Sequence, residues 1–167
     1  MSENSAKILH QFMSAERMHD INHWIAKYPA DQKQSAVMSA LRIVQEEHGH
    51  LTPALMDAVA EYLDMAPIAV YEVASFYTMY EHQPVGKHTV NVCTNISCLL
   101  RGSSDVVEHL EKKLGVKLGE TTADGRFTLR SVECLGACVN APMMQVDKDY
   151  HENLTPASID ATLEQYE

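Results

Sequence analysis

The chain reads in two halves with different hydrophobic periods. Up to about residue 80, apolar side chains recur at three- and four-residue intervals, as in helices that bury one face. From about residue 87 they alternate, as in strands. Ser14 is placed to cap a helix on which Met18, Ile21, Ile25 and Tyr28 share a face until Pro29 stops it. Val37, Ala40, Leu41 and Val44 mark a second helix over about Lys33 to His48, closed by Gly49. Thr52-Pro53 opens a third, with Leu55, Val59, Tyr62 and Leu63 inward. Ala66-Pro67 opens a fourth, with Val70, Val73, Ala74 and Tyr77 inward. These four amphipathic helices predict a compact N-terminal helical bundle over residues 1–83.

Gln83-Pro84-Val85-Gly86 breaks the helical period. Lys87 to Cys93 then alternates as a strand, and Ser104 to Leu114 returns to helical spacing, with Gly115 as its stop. Gly119 to Gly125 is polar and loop-like, and Phe127 to Cys134 alternates again. Met143–Val146 and Tyr150–Asn153 flank Asp147-Lys148-Asp149 as a short hairpin, and Thr155-Pro156 caps a last helix carrying Ile159, Leu163 and Tyr166. The order β-α-β-β-β-α over residues 84–167 fits a thioredoxin-like α/β domain with a mixed four-stranded sheet, so the whole chain is expected to be α+β. A helix between the first two strands permits a right-handed parallel crossover, and the hairpin permits antiparallel addition. Cys93 and Cys134 would then end two parallel strands at one edge of the sheet, where open α/β sheets place their sites.

Composition narrows the class. With 46% apolar and 22% charged residues, the 167-residue chain is expected to fold without help from disulfides. A formal net charge of −10 argues against nucleic acid, whose phosphates call for a basic patch. The first residues show neither a basic n-region with an apolar run nor an Arg-rich transit character, and no apolar stretch approaches a bilayer span. The expectation is a soluble, cytoplasmic protein with no direct membrane insertion.

The chemistry lies in the cysteines. Cys93 and Cys98 form one close pair, Cys134 and Cys138 another, and no other cysteine occurs. In a reducing compartment disulfides rank last among their uses. A thioredoxin-type redox dithiol needs Cys-x-x-Cys, and neither pair has that spacing. Structural zinc and an iron–sulfur cluster both take four thiolates, and spacing does not separate them.

Resemblance does. Cys93-x4-Cys98, then after 35 residues Cys134-Leu-Gly-Ala-Cys-Val-Asn-Ala-Pro-Met-Met144, resembles the NuoE family, the thioredoxin-like [2Fe–2S] subunit of NADH:quinone oxidoreductase, respiratory complex I. Pro67-x3-Tyr71-Glu-Val-Ala-Ser-Phe-Tyr77, Pro84-Val-Gly86 and Asp124-Gly-Arg-Phe-Thr128 extend the likeness over about residues 30 to 165. The resemblance implies one [2Fe–2S] cluster on Cys93, Cys98, Cys134 and Cys138. It implies an electron-transfer subunit without a substrate site of its own, exchanging single electrons with FMN on a partner flavoprotein that also binds NADH. Other peripheral-arm subunits, on the cytoplasmic side of the inner membrane, complete the implied setting. The same module serves NAD-linked hydrogenases and formate dehydrogenases, and a structural zinc docking protein is the rival from a different class. A cluster on four thiolates is negatively charged and gains another negative charge on reduction, so it needs backbone N–H groups aimed at sulfur. Gly136 suits such a loop, because it allows close approach and a tight turn.

Other signals are weaker. No Gly-x-Gly-x-x-Gly occurs, and Gly86-Lys87 lacks the rest of a P-loop, so this chain should bind no nucleotide. His19 and His23 stand one turn apart without a third ligand and read as surface residues. Met18, Met56 and Met65 read as packing, and one of Met143 and Met144 as cover for the cysteine site. Phe76, Tyr77 and Tyr80 divide between core and partner docking.

Overall fold

A computed structural model describes residues 6–166 as two compact units, one ending at Pro84 and the other beginning at Val85. The first is helical: α1 (Ala6–Phe12), α2 (Ala15–Ile25), α3 (Val37–His48), α4 (Pro53–Tyr62) and α5 (Pro67–Phe76). Its ends follow local chemistry. The Ser14 hydroxyl accepts the Arg17 N–H and Thr52 accepts that of Leu55, while Pro53 and Pro67 occupy first-turn positions whose N–H would be unpaired anyway. Gly49 ends α3 in the left-handed conformation at φ 80°, and its N–H bonds Gln45 O. Leu9, Ile21, Leu41, Val44, Leu51, Val59 and Leu63 fill a shared core, completed by Met18, Met56 and Tyr80. Tyr80 donates its hydroxyl to Met38 O, so its polar end is satisfied.

Three expectations change here. The helix α1 has no counterpart in the periodic reading; it is seven residues long and adds Leu9 to the core. α2 ends at Ile25, before Pro29, because Tyr28 lies at the surface and supplies no apolar pull. Residues Ala30–Ala36, assigned in part to the next helix, form 3₁₀ turns interrupted at Gln32. Lys33 instead pairs with Asp64. The aromatic trio also splits: Tyr80 is core, Tyr77 is partly exposed, and Phe76 is 77% exposed.

The second unit contains β1 (His88–Cys93), α6 (Ile96–Leu100), α7 (Ser103–Leu114), β2 (Phe127–Val132), β3 (Met144–Val146), β4 (Asp149–His151) and α8 (Pro156–Leu163). The strands lie in the order β2-β1-β3-β4. β1 and β2 run parallel, with Cys93 opposite Val132, and β3 and β4 add antiparallel. This is the thioredoxin-like mixed sheet that the chain order predicts. Val90, Val92, Leu129 and Val146 meet Val106 and Leu110 of α7 and Ile159 and Leu163 of α8 in one core. Thr155 and Ser158 open α8 with a reciprocal capping box. β2 stops at Val132, not at Cys134, since its ladder partner turns away after Cys93. Among the described residues no helix is long and apolar enough to cross a membrane.

Gly86 enters this unit through a space that only glycine fits. Its N–H donates to Thr128 Oγ1 at 2.7 Å, and a Cβ would lie 2.8 Å from the Phe127 carbonyl carbon. Because that obstacle is backbone, it cannot rotate aside. Gly86→Ala is expected to destabilise the chain by about 1–3 kcal/mol, the usual range for overpacking. Chemical denaturation of the two forms measures it.

Candidate metal centre

The last residue of β1 is the first candidate ligand. Cys93 donates its backbone N–H to Met143 O at 3.2 Å, and Thr94 N–H bonds Val132 O at 3.0 Å, so the strand end is held from both sides. Asn95 then caps α6, its side-chain oxygen accepting the Ile96 N–H. That short helix turns Cys98 inward, to 1% exposure. Cys93 and Cys98 lie together under Ala141 and Met143, with Leu135 and Ala137 against them. Met143, rather than Met144, is therefore the methionine that covers the cysteines; Met144 belongs to the sheet core.

Cys134 and Cys138 lie on the loop after β2, and both are exposed. Gly136 between them has φ 81°, and nothing stands within 4 Å of where its Cβ would be. Its conformation, not crowding, is what calls for glycine. Cys138 opens a 3₁₀ turn to Asn140, and the cis Ala141-Pro142 bond leads into Met143. The returning strand braces this loop. Tyr150 donates its hydroxyl to Leu135 O at 2.8 Å, Asn140 Nδ2 donates to Glu152 at 2.6 Å, and the N–H groups of Asn153 and Leu154 bond Asn140 O and Pro142 O.

All four thiols are free, and three of them interact at one edge of the sheet. Burial pushes the Cys98 thiol well above its ordinary value. A hydrogen bond with Cys93 and the nearby Cys93 and Cys138 sulfurs act in the same direction, and the Met143 N–H on the sulfur opposes them. Among the described residues no three His, Cys, Asp or Glu side chains are arranged to hold a metal ion. The donor set nonetheless fits an iron–sulfur group. It offers four thiols, a backbone N–H already on sulfur, and Gly136 and Ala137 N–H groups that meet no acceptor among the described residues.

The comparisons decide the family. The model of the thioredoxin-like [2Fe-2S] ferredoxin family matches residues 21–167. The chain belongs to that family. It is 50% identical over 141 residues to an NADH-quinone oxidoreductase subunit of Rhizobium meliloti (strain 1021), covering 84% of this chain and 83% of that protein. It is 44% identical over 151 residues to the mitochondrial NADH dehydrogenase [ubiquinone] flavoprotein 2 of Dictyostelium discoideum, covering 90% of this chain and 61% of that one. Among solved structures, the NAD+-reducing [NiFe]-hydrogenase in the H2-reduced state superposes with a TM-score of 0.68 at 21% identity. The match covers 78% of this chain but 22% of the hydrogenase chain, a likeness of fold.

Sequence reasoning found all four cysteines of this ferredoxin-family chain but missed their supports. Asn95 was legible as an Asx cap before Ile96-Ser97-Cys98-Leu99-Leu100. Tyr150 and Glu152 were not, because only the folded hairpin brings them to the loop. In the metal-free chain, thiol alkylation at neutral pH should label Cys134 and Cys138 first. Cys98 should follow only as pH rises well beyond the ordinary thiol range, since its thiolate forms later. Mass spectrometry of the labelled peptides checks the order.

Proposed function

We propose that this chain is the electron-transfer subunit of an NADH:quinone oxidoreductase. It holds one [2Fe–2S] cluster on Cys93, Cys98, Cys134 and Cys138 and exchanges single electrons with FMN on a partner flavoprotein that binds NADH. One observation carries the reading: a chain of the [2Fe–2S] family keeps its only four cysteines free, at and beside one sheet edge. The names of relatives at 44% and 50% identity favour this host complex over a hydrogenase or formate dehydrogenase. In this reading the chain reaches the cytoplasmic face of the inner membrane only through its partners and the other peripheral-arm subunits.

When bound, the cluster supplies one-electron transfer and nothing else. The chain's residues have three tasks around it. Cys93 and Cys98, with Met143 over them, hold one side away from water. Met143 N–H, already on the Cys98 sulfur, offsets negative charge. Cys134 and Cys138 are exposed, so a cluster held there would lie within reach of a partner. Around the cysteine-bearing segments Ile96, Leu99, Leu100 and Val139 project outward, Leu100 being 81% and Val139 93% exposed. Large apolar side chains beside a redox site suit burial against a second protein, which would also raise the electrostatic strength of every contact there.

Purified protein should contain near-stoichiometric iron and inorganic sulfide, absorb in the visible and give an EPR signal when reduced. Colourless protein with one zinc would sink the proposal in favour of a structural docking role. Cys134→Ser should lose or badly destabilise the cluster, and an unchanged visible spectrum in that variant would remove Cys134 from the ligand set. Leu100→Asp with Val139→Asp should leave the spectrum intact. It should cut copurification of the flavoprotein partner about tenfold or more, as loss of an interface anchor does.

A further inference from the structure

We propose that Tyr150 is a positioning residue for the cluster loop: its hydroxyl fixes which way the Leu135–Gly136 peptide faces, and so tunes the reduction equilibrium of the bound cluster. The proposal rests on the cluster assignment made above.

The Tyr150 hydroxyl reaches across from β4 to donate to Leu135 O at 2.8 Å, within the span between Cys134 and Cys138. That peptide is trans, so its carbonyl and the Gly136 N–H point in opposite directions. Pinning the carbonyl toward Tyr150 therefore aims the Gly136 N–H away from it, and that N–H meets no acceptor among the described residues. Local preference does not fix this orientation. Turning the peptide over changes mainly Leu135 ψ and Gly136 φ, and glycine accepts either sign of φ. Beyond its chain neighbours nothing stands within 4 Å of where a Gly136 Cβ would sit, so no packing against that carbon fixes it either. The other braces act elsewhere: Glu152 and the Asn153 and Leu154 N–H groups hold Asn140 and Pro142, beyond the second loop cysteine. Tyr150 is thus the one described side chain bonded to the peptide planes between the two cysteines.

An N–H aimed at sulfur favours the form with more negative charge, which is the reduced one. Releasing the peptide should favour the oxidised form. Tyr150→Phe keeps the ring and removes only the hydroxyl. In the cluster-loaded full-length chain, it should shift the one-electron equilibrium toward the oxidised form by about tenfold, or about 59 mV. An EPR-monitored redox titration reads this. Asn140→Ala, which removes the neighbouring brace to Glu152 without changing any charge, should leave the potential where it is. A fully loaded Tyr150→Phe protein with the wild-type potential overturns the proposal, as does an equal shift from Asn140→Ala.

If Tyr150→Phe takes up no cluster, the metal-free chain decides. The Leu135 carbonyl carbon and Gly136 amide nitrogen resonances should move on losing the hydroxyl, while the Asn153 amide stays. Unmoved Leu135 and Gly136 resonances overturn the proposal. Failure of the cluster assignment itself would show separately, as wild-type protein without iron, sulfide or EPR signal.

Discussion

The parallel pairing of β1 and β2 is the constraint on which the site depends. Its register sets Cys93 against Val132, so the loop carrying Cys134 and Cys138 begins just beyond the last paired position. α7 makes the crossover possible by burying Val106 and Leu110 against the same sheet that supplies Val90, Val92 and Leu129. A slip of one residue would turn the alternating strand faces over and send the valines to the other side. Register here is therefore held by the core, and the positions of the thiols are a by-product of that core.

The second constraint is the contrast between the two thiol pairs. Cys93 and Cys98 are buried, and at Cys98 burial disfavours the thiolate that any metal ligand must become. Cys134 and Cys138 are exposed, on a loop whose hydrogen bonds run outward to Tyr150 and Glu152. A bound metal group would reverse that balance, because a thiolate would then face positive charge. Met143 joins the two halves: its carbonyl accepts from Cys93, its N–H contacts Cys98, and its side chain covers both. It follows Pro142 directly, whose carbonyl is bonded by Leu154.

Much of this is legible in the residues alone. The capped helices carry their own signals: Ser14, Thr52 and Thr155 each precede an apolar period, and Gly49 and Gly115 end theirs. The mixed sheet follows from a helix between two strands and a hairpin after them, but that the hairpin adds beside β1 and not β2 shows only in the fold. What escapes is short or tertiary. α6 has five residues, too few for a period to declare itself, and α1 sits ahead of the first clear cap. The end of β2 depends on where its partner turns away, which no property of Glu133 or Cys134 records. Zinc and iron–sulfur stay level on spacing alone, because both are satisfied by four thiolates. Family likeness separates them.

Phe76 and Tyr80 show why core and surface aromatics cannot be told apart in sequence. Both stand in the aromatic stretch that closes and follows α5, a helix with apolar residues on every side. Tyr80 finds an acceptor in Met38 O and is buried; Phe76 meets the edge of Tyr77 and stays 77% exposed. A helix that is apolar all round normally lies inside a fold, and α5 has more apolar surface than its own unit covers. Leu100 and Val139 repeat that excess beside the cysteines, in a chain whose formal net charge is −10. Such charge keeps copies of this chain apart through mutual repulsion, while exposed apolar side chains favour association. The two together select for a different protein as partner, one with lower charge density or a basic rim. An electron carrier that works against a second protein, as proposed for this chain, needs such a surface, and these exposed side chains supply it.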